Sequence, residues 1–269
     1  MIKPATRAKI KGFLEGFLEV QLQKHQKLVL SGGEAKRQRA DAKAGKLKPF
    51  HLAILPPEAV RLSSFERSFS TSLGNTFEEC AKLIALDRHQ EVVRSCVLTG
   101  RISRKCLTEI ERARSLIDGG HSVNYPKIVG RVLKANTKQE VSIRTIADIY
   151  IKTAAGQEIY FEIKSPKPNK GQGIEVTDRL LRTHAIKGLG PPEVKTFYAM
   201  AYNPYGTRKD YKHSFATQHL DMKNQVVIQD EFWDIVGGPG TFKELLEIYS
   251  EVGREKGRAI IQRIGYVFE

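Results

Sequence analysis

Glu162, Ile163 and Lys164 close the run EIYFEIK (158–164), in which apolar and polar side chains alternate. As a strand, this segment puts Ile159, Phe161 and Ile163 on one face and Tyr160, Glu162 and Lys164 on the other. Glu162 and Lys164 then project together, about 6.6 Å apart along the strand. The preceding run IADIYIK (146–152) alternates in the same way and places Ile146, Asp148 and Tyr150 on one face. Between the two, Ala154-Ala155-Gly156 can form a three-residue hairpin loop with Gly156 in the left-handed conformation. A turn centred on Ala155 sets Asp148 directly opposite Glu162, with their Cβ atoms about 5 Å apart. Two carboxylates and a lysine gathered in this way suit hydrolysis of a phosphodiester. Carboxylates and a backbone carbonyl, here that of Ile163, are the hard oxygen ligands that Mg²⁺ prefers. Such a metal polarises a phosphoryl group and acidifies a bound water. Lys164 could hold or help deprotonate that water and offset charge in the transition state. The triplet alone is weak evidence, because acid-x-Lys recurs at Glu34/Lys36, Asp41/Lys43, Glu193/Lys195, Asp210/Lys212 and Asp221/Lys223. The residues by themselves leave open a second reading, a solvated Glu–Lys pair on an edge hairpin, which would contribute little.

The elements that must carry this ribbon follow from periodicity. Residues 5–25 place Ile10, Phe13, Leu14, Phe17, Leu18 and Leu22 at helical spacing and predict an amphipathic helix. From Pro56 to Gly120 the pattern reads as mainly helical. It predicts helices over Ser64–Leu73 and Thr76–Leu98, separated by a break at Gly74-Asn75. Glu78 and Glu79 would lie in the first turn of the second helix, where they complement its dipole. A third helix is predicted over Ser103–Ile117, capped by Ser103 and stopped by Gly119-Gly120. Lys195–Tyr202, nearly apolar throughout, predicts a central strand, and Gln225–Gln229 another. Phe242–Ile264 predicts a closing helix with Gly253 and Gly257 as points of interruption. Helices flanking a mixed sheet make an α/β or α+β domain. The expected organisation is a single domain over 1–269, with the helix of 1–30 and the segment 31–48 as appendages.

The chain carries 44 Lys+Arg against 30 Asp+Glu, a formal charge of +14, which a polyanionic partner explains most simply. Residues 31–48, SGGEAKRQRADAKAGKLK, hold six Lys/Arg against two carboxylates and read either as a solvated loop or as a DNA-contacting arm. No window reaches the roughly 18 apolar residues of a membrane span, and no N-terminal apolar segment resembles a secretion signal. Cys80, Cys96 and Cys106 form no Cys-x-x-Cys pair, which argues against a disulfide framework or structural zinc and fits a reducing cytoplasm. They read as buried helix residues. The seven histidines show no metal-ligand spacing.

Asp148 with Glu162-Ile163-Lys164 resembles the PD-(D/E)XK nuclease signature, with Ala147 in place of the proline. The longer run FEIKSPKPNKGQ (161–172) carries a more specific resemblance, together with KPFH (48–51), GNTFEE (74–79), AYNPY (201–205) and EFWDIVGG (231–238). These blocks resemble, in order from about Lys9 to Arg258, the TdeIII/MjaII-type family of type II restriction endonucleases. The resemblance implies a restriction-endonuclease-like mixed sheet. It also implies a homodimer that cuts double-stranded DNA at a short symmetric site with Mg²⁺, the family being associated with GGNCC-like sequences. It assigns Asp148 and Glu162 to the metal and makes Lys164 the catalytic lysine. Glu78 then reads either as the acid that many such nucleases place on an early helix or as a surface acid serving the helix dipole.

Several further residues are DNA-binding candidates. Lys167, Lys170 and Gln172 follow the catalytic strand in a proline-punctuated loop, and Arg179 and Arg182 sit on a helix beyond it. Arg208, Lys209 and Lys212, with His213, interleave with Tyr202, Tyr205 and Tyr211, a pattern suited to reading bases. Simple solvation is the alternative for each. Trp233 reads as core, among Phe232, Ile235 and Val236. Two competing functions remain: a structure-selective repair nuclease or resolvase on the same fold, and a DNA-binding protein without catalysis.

Overall fold

The computed structural model describes residues 1–30, 42–43, 45, 49–55 and 57–265. Most of the basic segment 31–48, including Lys48 of the KPFH block, lies outside the described residues. The chain divides into two compact units, Met1–Thr6 with Phe77–Glu244 and Arg7–Thr76 with Leu245–Glu269. The second unit is helical. Helix α1 (Pro4–Leu30) buries Ile10, Leu14 and Leu22, as its apolar spacing predicts. A short α2 (Pro49–Ile54) follows, and then α3 (Pro57–Ala85). Helix α3 runs through Gly74-Asn75 without a break. A glycine costs a helix only about 1 kcal/mol, and helical spacing resumes beyond it with buried Cys80, Ala81 and Ile84.

The first unit holds a five-stranded sheet in the order β1-β2-β3-β4-β5. Strand β1 is Glu91–Ile102, the part of the chain expected to continue the helix from Thr76. The helix ends at Ala85, and the residues beyond Gln90 alternate exposed and more buried positions with period two. Val92, Val93 and Val97 are therefore strand residues, as their β-branched side chains favour. Cys96, expected to be a buried helix residue, is half-buried on this strand. Strand β1 lies antiparallel to the long β2 (Val141–Lys152). Between them are two helices, α4 (Arg104–Asp118) and α5 (Tyr125–Ala135). Ser103 caps α4 as expected, its hydroxyl accepting from the Cys106 N–H at 3.0 Å. Helix α5 has no counterpart among the predicted elements; Asn124 caps it and Pro126 occupies its first turn.

Strand β3 (Glu158–Lys164) has the predicted bounds and pairs antiparallel with β2, Ile149 opposite Phe161 and Tyr150 opposite Tyr160. The turn is the predicted one, with Gly156 at φ +80°. From β3 the chain crosses through α6 (Lys170–Lys187) to β4 (Val194–Met200), which lies parallel to β3 in the sheet interior. Helix α7 (Ser214–His219), β5 (Val226–Ile228), α8 (Asp230–Gly237) and α9 (Thr241–Gly265) complete the order. Helix α9 is continuous through Gly253 and Gly257.

Helix α6 covers one face of the sheet: Val176, Leu180 and Leu181 pack in one core with Tyr198, Met200 and Ile228. A Cβ on Gly100 would meet Ile186 Cγ2 at 2.8 Å, so glycine lets α6 approach β1 closely. On the other face Phe161 stacks on Phe197 and meets Phe232 edge-on. Trp233 is buried, its indole N–H donating to the Ala201 carbonyl at 2.7 Å. No helix among the described residues is long and apolar enough to cross a membrane.

Candidate active site

The β2–β3 ribbon brings Asp148, Glu162 and Lys164 together. Lys164 Nζ lies 3.0 Å from Asp148 Oδ2 and 3.2 Å from Glu162 Oε2, so one ammonium joins both carboxylates. Asp148 Oδ2 also accepts the Ile163 backbone N–H at 2.7 Å. Side-chain alternation slips at this point. Ser95, across from Asp148, has φ +53°, and the β1–β2 pairing passes from Arg94/Ile149 to Cys96/Ala147 without it. Ala147, rather than Ile146, therefore packs in one cluster with Tyr150, Tyr160 and Leu98.

Glu162 is 1% exposed. Arg179 reaches it from α6, Nη1 to Oε2 at 3.1 Å. Both cations thus hold the same oxygen, while Oε1 is buried with no hydrogen-bond partner among the described residues. Burial, and then repulsion by Asp148, push the Glu162 carboxyl up to about 7 against the opposing pull of Lys164 and Arg179. Burial acts to lower the Lys164 pKa, but the two carboxylates outweigh it and raise the group above its ordinary value. Lys164 is accordingly an ammonium, suited to donating hydrogen bonds and positive charge rather than accepting a proton.

This donor set fits a hard divalent cation. It offers two carboxylates at one point, one of them with a buried oxygen that nothing among the described residues satisfies. Glu78 does not join them. It lies in the last turns of α3 rather than in a first turn, and its Oε2 accepts from Arg94 Nε at 2.9 Å. Among the described residues no group of three His, Cys, Asp or Glu side chains could hold a metal.

The other candidates separate by what they touch. Gln172 belongs to the start of α6: with Asn169 it forms a capping box, each side chain bonding the other's backbone N–H. The Arg208 guanidinium is turned inward onto the carbonyls of Met222 and Val226 and pairs with Glu231 at 3.3 Å. Arg182 is held by Asp178 at 2.6 Å, one turn back on α6. Lys170 pairs with Asp118 at 2.8 Å in an exposed position. Lys209 and Lys212 are exposed, and Lys167 sits 5.5 Å over the Tyr205 ring. The segment after β3 is pinned through its carbonyls: Tyr198 donates to Ser165, Tyr211 donates to Pro166, and the His213 ring bonds Pro168. The Arg179–Glu162 contact carries no signal in the sequence, because it depends on the crossover that lays α6 over the end of β3.

A family model described as "Type II restriction endonuclease, HinfI" matches residues 8–253. The chain belongs to the HinfI family of type II restriction endonucleases. The type II restriction endonuclease class expected from the sequence is borne out, while the match does not extend to the TdeIII/MjaII-type assignment within it. Three relatives from Herpetosiphon aurantiacus agree. The type II restriction enzyme HgiEI is 42% identical over 98% of both chains. HgiBI is 41% identical over 98% of both, and HgiCII 41% identical over 98% of this chain and 99% of its own. This HinfI-family protein is thus a site-specific deoxyribonuclease, with double-stranded DNA as substrate.

Proposed function

We propose that the chain is a cytoplasmic, Mg²⁺-dependent enzyme that cuts double-stranded DNA at a short symmetric, GGNCC-like site. In this reading Asp148 and Glu162 hold the metal, the Ile163 carbonyl adds a third oxygen, and Lys164 is the catalytic lysine. The observation that carries it is the meeting of both carboxylates on Lys164 Nζ, beside the unsatisfied Oε1 of Glu162. A bound Mg²⁺ would polarise the scissile phosphoryl group and acidify a water. Lys164, as an ammonium, would donate a hydrogen bond to the attacking water and offset negative charge developing on the phosphoryl oxygens. The ribbon supplies pre-organisation: Asp148 is held by the Ile163 N–H, and burial of Glu162 keeps competing water from its carboxylate. The exposed Lys167, Lys170, Lys209 and Lys212 contact phosphates or bases, and the charge of +14 adds salt-sensitive attraction to the duplex.

A homodimer follows from substrate symmetry, since two-fold related sites cut both strands of a palindrome equivalently. The family match spans parts of both compact units, which supports reading the whole chain as one nuclease domain with helical additions. Purified protein with Mg²⁺ should cut plasmid DNA into discrete fragments whose ends map to GGNCC-like positions. Fragments ending elsewhere overturn the site, equal cutting without divalent metal overturns the cofactor, and a monomer on DNA by ultracentrifugation overturns the dimer.

A further inference from the structure

We infer that Arg179 is a positioning residue for metal capture: by sharing Glu162 Oε2 with Lys164, it leaves Oε1 as the oxygen offered to the cation. The inference rests on the reading of Asp148 and Glu162 as metal ligands. A carboxylate rotates easily about its terminal bond, because that torsion is broad and two-fold, so a buried one presents either oxygen unless something selects between them. Here two cations do so. Lys164 reaches Oε2 from two residues along the strand at 3.2 Å, and Arg179 reaches the same atom from α6 at 3.1 Å.

The guanidinium is itself fixed, because its Nη2 donates to Glu175 one turn earlier on the helix. Its planar fork thus spans a surface acid and a buried one, which a lysine could not do with the same rigidity. The alternative role, a phosphate contact, would use the N–H donors that these two carboxylates leave over on the partly exposed guanidinium, and the two roles are separated by what each variant changes.

The test is Ca²⁺ binding by calorimetry to the full-length protein, comparing wild type with Arg179→Ala, Arg179→Lys and Glu162→Gln. The salt dependence of duplex binding is measured in parallel without divalent metal. Arg179→Ala should weaken Ca²⁺ binding about 10- to 100-fold, the usual cost of losing an outer partner of a metal ligand. Arg179→Lys, which keeps the charge, should recover part of that loss, and neither variant should change the salt slope. Unchanged Ca²⁺ affinity in Arg179→Lys and Arg179→Ala overturns the inference. A salt slope reduced by about one, with Ca²⁺ affinity intact, returns Arg179 to the phosphate backbone. Undiminished Ca²⁺ binding by Glu162→Gln instead overturns the ligand assignment beneath it.

Discussion

The two ends of β3 present the same residue types to α6 and use them differently. At its start, Glu158 is buried beside one cation and one hydroxyl, Lys187 Nζ at 2.7 Å and Tyr160 Oη at 2.8 Å. Burial and this acceptor raise the Tyr160 pKa, which keeps its proton on the phenol as donor. At the other end Glu162 faces a second carboxylate, shares two cations through a single oxygen, and keeps the other oxygen buried and unpaired. The first cluster is complete as it stands. The second sets two carboxylates against two cations and still leaves an unmet acceptor, the condition that a bound cation relieves. A buried Glu near a Lys is therefore not by itself a mark of chemistry; the distinguishing feature is what remains unsatisfied.

The largest expected break between the two ends is catalytic. Lys164→Ala, or Asp148→Asn, should lower the Mg²⁺-dependent cleavage rate by about 10²- to 10³-fold or more while DNA binding in Ca²⁺ persists. Quantitative plasmid digestion checks this, and an unchanged rate removes that residue from the site. Glu158→Gln should do the converse, leaving cleavage intact while costing about 2 kcal/mol of stability by urea unfolding, because the amide still accepts a hydrogen bond but leaves Lys187 without its counter-charge. A cleavage defect without a stability loss would erase the distinction between the ends.

The smallest effect is in the pH dependence of melting. Glu162 holds its proton more tightly folded than unfolded, so the metal-free protein should lose stability as pH rises from 4.5 to about 7. Divalent cation should restore that stability above this window, where the carboxylate is ionised. Glu162→Gln should flatten both responses by a few degrees in Tm. A metal-free profile that rises through this interval contradicts the burial argument.

The ribbon was legible because its information is local. Alternation sets the faces of β3, and Gly156 in a three-residue loop fixes register, so the pairing that puts Ile149 opposite Phe161 was readable from sequence. Strand β1 was not legible in the same way. Phe77, Ala81 and Ile84 establish a helical rhythm, and nothing before Gln90 announces that Val92 begins a different period. The slip at Asp148 escaped too, because it lives in one positive φ at Ser95, a residue with no conformational signature of its own. The surroundings of the other candidates were less legible. Arg208 answers carbonyls and Glu78 answers Arg94, partners that only the folded chain supplies, whereas Gln172 answers Asn169 three residues before it at a helix start.

The pinned segment behind Lys164 bears on how such an enzyme can be altered. Three successive stretches of its backbone are tethered by Tyr198, Tyr211 and His213, the last two lying 45 positions downstream of their acceptors. A hairpin excised with its acids and lysine would arrive in a new scaffold without the tethers that set its exit path. Transplanting the ribbon alone should therefore move the side chains but not the reaction, and a chimera would need the stretch through His213 to travel with it.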